Sequence, residues 1–136
     1  IYSVFQDFKN IYVVSEPYFG GDLTTCAEKA SAAGVKLTQS WLGGILRQVV
    51  DGVKYLHDKK HMHCDLKEPN VMITRDSDWQ EPNAVLIDFG LAQNFGASSK
   101  VMGTPGYMPP EVWQSGLWTP KGDVFSLGVM FYTLYC

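Results

Sequence analysis

Two rhythms of apolar and polar positions divide this chain. Residues 2–6 and 11–15 are rich in β-branched and aromatic side chains and flank Asp7-Phe8-Lys9-Asn10, which suits a tight turn. That pattern predicts an antiparallel hairpin. Glu16-Pro17-Tyr18-Phe19-Gly20-Gly21 interrupts it with a proline and paired glycines, a connector rather than an element. Residues 22–30 predict a short helix and 31–36 a loop. Over residues 38–59 the period lengthens to that of a helix, with Trp41, Leu42, Ile45, Leu46, Val49, Val50, Val53 and Leu56 on one face and Arg47, Gln48, Asp51 and Lys54 elsewhere. Gly43 and Gly44 lie inside it at a cost of about 1 kcal/mol each relative to alanine, so packing of the apolar face must hold this helix. Residues 71–74 and 84–87 predict short strands around a polar loop, 75–83. The run 124–136 is apolar nearly throughout, which predicts a buried helix too short to cross a bilayer.

With 136 residues and 46% apolar content the chain has the length and hydrophobic material of one domain. It begins without Met on an apolar run and stops inside another, whereas domains usually end in polar segments, so the expectation is a piece of a longer chain. Net charge is −3 and the only basic cluster is Lys59-Lys60-His61, which argues against nucleic acid or an anionic membrane as partner. No membrane segment is evident. Three cysteines, Cys26, Cys64 and Cys136, without close pairing, favour free thiols and a cytoplasmic or nuclear setting. Asp76-Ser77-Asp78 opens like a calcium loop, but Glu81 and Ile87 stand where glycine and glutamate are needed.

The candidate chemistry lies in three islands: His63-Cys64-Asp65-Leu66-Lys67-Glu68-Pro69-Asn70, then Asp88-Phe89-Gly90, then Gly103-Thr104-Pro105-Gly106-Tyr107-Met108-Pro109-Pro110-Glu111. Asp65 and Asn70, five apart on a loop, can face one site, and Gly90 lets the backbone turn so that Asp88 leaves the end of a strand. A carboxylate to orient a hydroxyl, a lysine, and an amide with a second carboxylate for divalent metal are the parts of phosphoryl transfer. Alone, the loop of Asp65 and Asn70 reads better as a turn, and Asp-Phe-Gly by itself is common. Their order and spacing carry the argument.

On those residues the chain resembles the middle of a eukaryotic protein kinase domain of the serine/threonine type. The catalytic loop of that family reads His-Arg-Asp-Leu-Lys-Pro-Glu-Asn, which residues 63–70 match except for Cys64 and the swapped Glu68-Pro69; Pro109-Pro110-Glu111 matches Ala-Pro-Glu. The resemblance implies an α+β fold: the last strands of the N-terminal lobe over residues 1–15, a hinge over 16–21 and part of a mostly helical C-terminal lobe over 22–136, truncated at both ends. It implies Asp65 as catalytic base, Lys67 on the transferring phosphate, Asn70 and Asp88 on magnesium, and Gly103, Thr104 and Pro105 in the substrate-docking loop. Glu16 and Tyr18 would hold adenine through their backbones, with Asp22 near the ribose, Met72 beneath the ring and Ser15 as a small gatekeeper. His63 and Phe89 would stack, anchored by Asp123. ATP and Mg2+ are the implied cofactors, and a protein carrying Ser or Thr the implied substrate.

Gly20-Gly21-Asp22-Leu23, Val53-Lys54-Tyr55-Leu56-His57 and residues 123–129 look most like calcium/calmodulin-dependent or calcium-dependent kinases, whose regulation would act through segments outside this chain. The glycine-rich phosphate loop and its lysine are not in the sequence, so the chain alone is expected to be inactive. Cys64 replaces an arginine that pairs with a phosphate in many members, which implies activity without phosphorylation of Ser98 or Ser99. Two alternatives stand beside the kinase: a pseudokinase or scaffold of the same fold, which would not need all four polar side chains, and a zinc module of His57, His61, His63 and Cys64.

Overall fold

The computed structural model describes residues 1–96 and 101–136, so Ser98 and Ser99 lie outside the described residues. Strands β1 (Ser3–Gln6) and β2 (Ile11–Val14) pair antiparallel, Gln6 opposite Ile11, and are exposed throughout. Asp7 closes their turn by accepting from the N–H groups of Lys9 and Asn10 at 2.7 Å. The predicted hairpin is present.

A three-stranded antiparallel sheet follows, in the order β3 (Gly21–Asp22), β5 (Val71–Ile73), β6 (Ala84–Leu86). Helix α1 (Leu23–Ala32) starts where Asp22 Oδ1 accepts from Thr25 N–H at 3.0 Å, one residue later than the sequence suggests. Helix α2 (Gln39–Asp58) is the predicted long helix, capped by Thr38 Oγ1 on Trp41 N–H at 3.1 Å. Its buried stripe is narrower than the predicted face: Ile45, Leu46, Val49 and Val53 are buried, whereas Val50 is exposed at the margin. Gln48 fastens the 75–83 loop to this helix, donating to Pro82 O at 3.0 Å and accepting from Ala84 N–H at 2.9 Å.

Short strands β4 (His61–Met62) and β7 (Gln93–Asn94) pair antiparallel where the loop 63–70 begins. Helices α3 (Pro110–Ser115) and α4 (Pro120–Tyr135) complete the order. The final helix corrects the sequence expectation: Asp123, Ser126, Leu127 and Met130 are buried, but Val124, Phe125, Tyr132 and Tyr135 are exposed, so it is apolar all round while burying one side. Among the described residues no helix is long and apolar enough to cross a membrane.

Two cores result. The α2 stripe packs with Leu66, Val71, Ile73, Leu127 and Met130, while Met62, Cys64, Met108, Val112 and Trp118 form a second cluster. At about 2 kcal/mol for each fully buried aliphatic side chain, these clusters hold the two ends of the loop 63–70 in place.

Candidate active site

The loop after β4 is bent by Cys64, a non-glycine residue at φ +65°, a conformation that costs about 1–3 kcal/mol and persists only where its surroundings impose it. Asp123 imposes it. Fully buried in the first turn of α4, its Oδ2 accepts from His63 N–H and its Oδ1 from Cys64 N–H, both at 2.9 Å. His57 Nε2 meets the same Oδ2 at 2.8 Å. His63 in turn contacts Ile87 O through Nε2 at 3.0 Å and packs against Phe89, ring centroids 5.2 Å apart. The expected column of His63 and Phe89 on Asp123 is therefore present, and His57 joins it.

With the loop so bent, Asp65 turns inward, 8% exposed. Thr104 Oγ1 donates to Asp65 Oδ1 at 2.6 Å, Lys67 Nζ lies 2.8 Å from Oδ2, and Lys67 also donates to Thr104 Oγ1 at 2.8 Å. Asn70 Nδ2 donates to Asp65 O at 2.8 Å and to Oδ2 at 3.2 Å. Burial pushes the Asp65 carboxyl up, but the hydrogen bonds from Lys67 and Thr104, the charge of Lys67 and the bond from Asn70 outweigh it and hold the group below its ordinary value. Asp65 is thus an ionised carboxylate inside a ring of donors.

Asp88 is exposed, and only its neighbour Ile87 bonds the loop 63–70. Ile87 N–H donates to Asn70 O at 3.0 Å, and Asp88 itself sits at φ +60°, with its Oδ1 accepting from Gly90 N–H at 3.2 Å. Asn70 spends its amide N–H groups on Asp65; among the described residues its amide oxygen is unpaired, as is one carboxylate oxygen of the exposed Asp88. One amide and one carboxylate oxygen form a hard donor set that fits Mg2+.

At the other end of β5, Phe19 N–H bonds Thr74 O at 3.3 Å and Gly20 N–H bonds Ile73 O at 3.1 Å, which pins the connector to the sheet. Asp22 and Met72 are direct cross-strand partners, so their side chains share one face. Asp22 has a second task there, as the cap of α1. Ser15 and Glu16 are exposed, and Ser15 Oγ donates to Glu16 O at a long 3.4 Å; Tyr18 N–H has no backbone partner among the described residues.

Gly103, at φ +121°, lets the chain pass against Cys64 O and Met108, which brings Thr104 onto Asp65, while Pro105 stays exposed. Two contacts escaped the sequence reading: Tyr107 on Glu68, and His57 on Asp123. Both join residues tens of positions apart, and no local pattern in the sequence marks either.

The zinc alternative fails on placement. His57 is on Asp123, His61 is exposed with Nδ1 at 2.8 Å from Lys59 O, His63 is on Ile87 and Cys64 lies in the apolar cluster. Among the described residues no three His, Cys, Asp or Glu side chains gather as a metal site.

Comparison with known proteins agrees with this geometry. A model described as the protein kinase domain matches residues 1–136. The chain is 30% identical over 138 residues to calcium/calmodulin-dependent protein kinase type 1 of Caenorhabditis briggsae, covering 100% of this chain and 37% of that protein. It is 33% identical over 138 residues to death-associated protein kinase 2 of Homo sapiens, covering 98% and 36%. It is 35% identical over 136 residues to the probable serine/threonine-protein kinase zyg-1 of Caenorhabditis briggsae, covering 98% and 18%. The chain thus spans little more than a third of the longest-covered of these relatives. A kinase-domain match along its whole length, on a loop that gathers Asp65, Lys67, Asn70 and Thr104, establishes that the chain belongs to the protein kinase domain family.

Proposed function

We propose that the protein is a serine/threonine protein kinase that transfers the γ-phosphate of ATP to Ser or Thr hydroxyls of a protein substrate. The observation that carries this is the convergence of Lys67, Asn70 and Thr104 on the Asp65 carboxylate. The Thr104 hydroxyl, 2.6 Å from Asp65 Oδ1, supports the reading of this carboxylate as an acceptor for an alcohol. A substrate hydroxyl presented there is oriented by Asp65, which takes its proton as the new oxygen–phosphorus bond forms and the bond to the nucleotide diphosphate breaks. Lys67, beside it, offsets negative charge on the phosphoryl group in flight.

Mg2+, when bound, supplies charge neutralisation on the phosphates. Asn70 and Asp88 are the residues to hold it. The backbone of Glu16 and Tyr18, with Asp22 and Met72 side by side on the sheet, offers the nucleoside a polar edge and an apolar floor, and the small Ser15 keeps the adjoining space open. A scaffold would not require these four polar side chains together, which supports transfer over binding alone. The names of several relatives support regulation by calcium or calmodulin in the intact protein, and a cytoplasmic setting fits the free thiols.

The test is transfer of label from γ-labelled ATP with Mg2+ to a mixed protein substrate by the intact protein, with Asp65→Asn as control. Phosphoserine or phosphothreonine that disappears in the variant is expected. An intact, folded protein that labels nothing would sink the reading.

A further inference from the structure

Glu68 follows Lys67 directly and opens a short 3-10 turn, Glu68–Asn70, yet its carboxylate points inward and is only 4% exposed. Its Oε2 accepts from the Tyr107 hydroxyl at 2.5 Å, while Oε1 has no hydrogen-bond partner among the described residues. A buried carboxylate that leaves half its capacity unused is costly, so it is no neutral filler of space. What it does hold is informative. Tyr107 N–H bonds Thr104 O at 3.1 Å, and Ser126 Oγ donates to Tyr107 O at 2.7 Å, so the turn 104–107 is fastened at several points.

Four residues therefore form a closed ring. Lys67 Nζ binds Thr104 Oγ1 at 2.8 Å, Thr104 binds Tyr107 through the turn, Tyr107 binds Glu68, and Glu68 is covalently joined to Lys67. Opening it at Glu68 would free the turn that carries the Thr104 hydroxyl onto Asp65. We propose that Glu68 is a positioning residue for phosphoryl transfer: through Tyr107 it locks the docking loop on the catalytic loop, so that Asp65 and Lys67 keep one arrangement. The role rests on the kinase reading above.

The test compares Glu68→Ala, Glu68→Gln, Tyr107→Phe and the double variant Glu68→Ala/Tyr107→Phe in the intact protein. Glu68→Ala and Tyr107→Phe each lower kcat about 10-fold with KM for ATP unchanged, and the double variant falls no further, since each removes the same link. Glu68→Gln keeps an oxygen for Tyr107 and restores most of kcat. Amide hydrogen exchange, independent of turnover, is expected to quicken at Tyr107 in Glu68→Ala and Tyr107→Phe while α2 stays protected, which also shows that the variants are folded.

Exchange unchanged in both variants would overturn the ring, and quickened exchange with unchanged kcat would overturn the positioning role. A rise in peptide KM shared by Glu68→Gln and Glu68→Ala, confined to peptides bearing Lys or Arg, would overturn it too and assign the free oxygen to a substrate cation. A wild-type protein that transfers no phosphate would instead remove the kinase reading, while exchange still decides whether the ring holds the turn.

Discussion

Thr104 bridges the carboxylate and the ammonium of the loop 63–70: its hydroxyl donates to Asp65 Oδ1 at 2.6 Å and accepts from Lys67 Nζ at 2.8 Å. One side chain, 39 residues further along than Asp65, thereby ties that carboxylate to Lys67. Thr104→Val keeps the volume and removes both bonds, so kcat of the intact protein should fall about 10-fold, the equivalent of about 1.4 kcal/mol for hydrogen bonds to charged groups. Thr104→Ser should recover most of it. Steady-state kinetics decide the matter, and a valine variant as fast as wild type would show the hydroxyl to be idle.

The lowered pKa of Asp65 has a consequence for acid stability. Burial acts to raise it and the surrounding donors overcome that, so the folded value lies below the unfolded one of about 3.9. A depressed carboxylate contributes stability above its unfolded pKa and loses it as pH falls through the folded pKa. The advantage of wild type over Asp65→Asn in urea unfolding should accordingly be constant from about pH 8 to 5 and shrink only below about pH 4. Closure of that gap between neutrality and about pH 5 would contradict the lowered value.

How far the sequence could be read depended on the range of each interaction. Helix α2 was legible because its stripe repeats over five turns and Thr38 caps it locally, and the hairpin because Asp7 closes its own turn. The polar residues of the catalytic loop were legible as a motif. Strands β3, β4 and β7 were not, since two residues carry no period; they exist because distant segments meet, as His61 meets Asn94. Helix α3 was hidden behind Pro109-Pro110, a breaker pair that here supplies the cap and the first helical position. The exposed side of α4 was misread because an all-apolar run has no polar face to mark it. The Tyr107–Glu68 and His57–Asp123 contacts depend on tertiary approach alone.

Glycines separate local cost from tertiary need. Gly44 lies in α2 with open space where a Cβ would project, so Gly44→Ala should stabilise the protein by about 0.5–1 kcal/mol. Gly103 is the opposite case: at φ +121° a Cβ would stand 2.9 Å from Met108 Cγ and 3.0 Å from Cys64 O. Gly103→Ala should destabilise by about 1–3 kcal/mol from backbone strain alone and weaken the Thr104–Asp65 contact as well. Denaturant midpoints with unchanged m-values measure both; the same sign for the two variants would refute the distinction.

Cys64 joins the loop 63–70 to apolar side chains from residues 91–95 and 102–118. The thiol is fully buried among Met62, Met108, Val112 and Trp118, with Leu91, Phe95 and Met102 against them, and burial followed by the charge of Asp123 pushes its pKa up to about 12. Leu91 and Phe95 precede residues 97–100 and Met102 and Met108 follow them, and all four pack on the cluster that holds Cys64. Gln93 Nε2 on Met102 Sδ, at 2.7 Å, and Trp118 Nε1 on Met102 O, at 2.9 Å, reinforce the join. A thiol offers a phosphate neither charge nor a bidentate partner. Activity of the intact protein should therefore survive the double variant Ser98→Ala/Ser99→Ala and treatment with a phosphatase, both read by substrate labelling. Cys64→Arg, by contrast, would bury an unpaired guanidinium in the apolar cluster and cost about 3 kcal/mol or more, visible in the denaturant midpoint. Complete loss of activity in the double alanine variant would show that activity needs phosphate on Ser98 or Ser99.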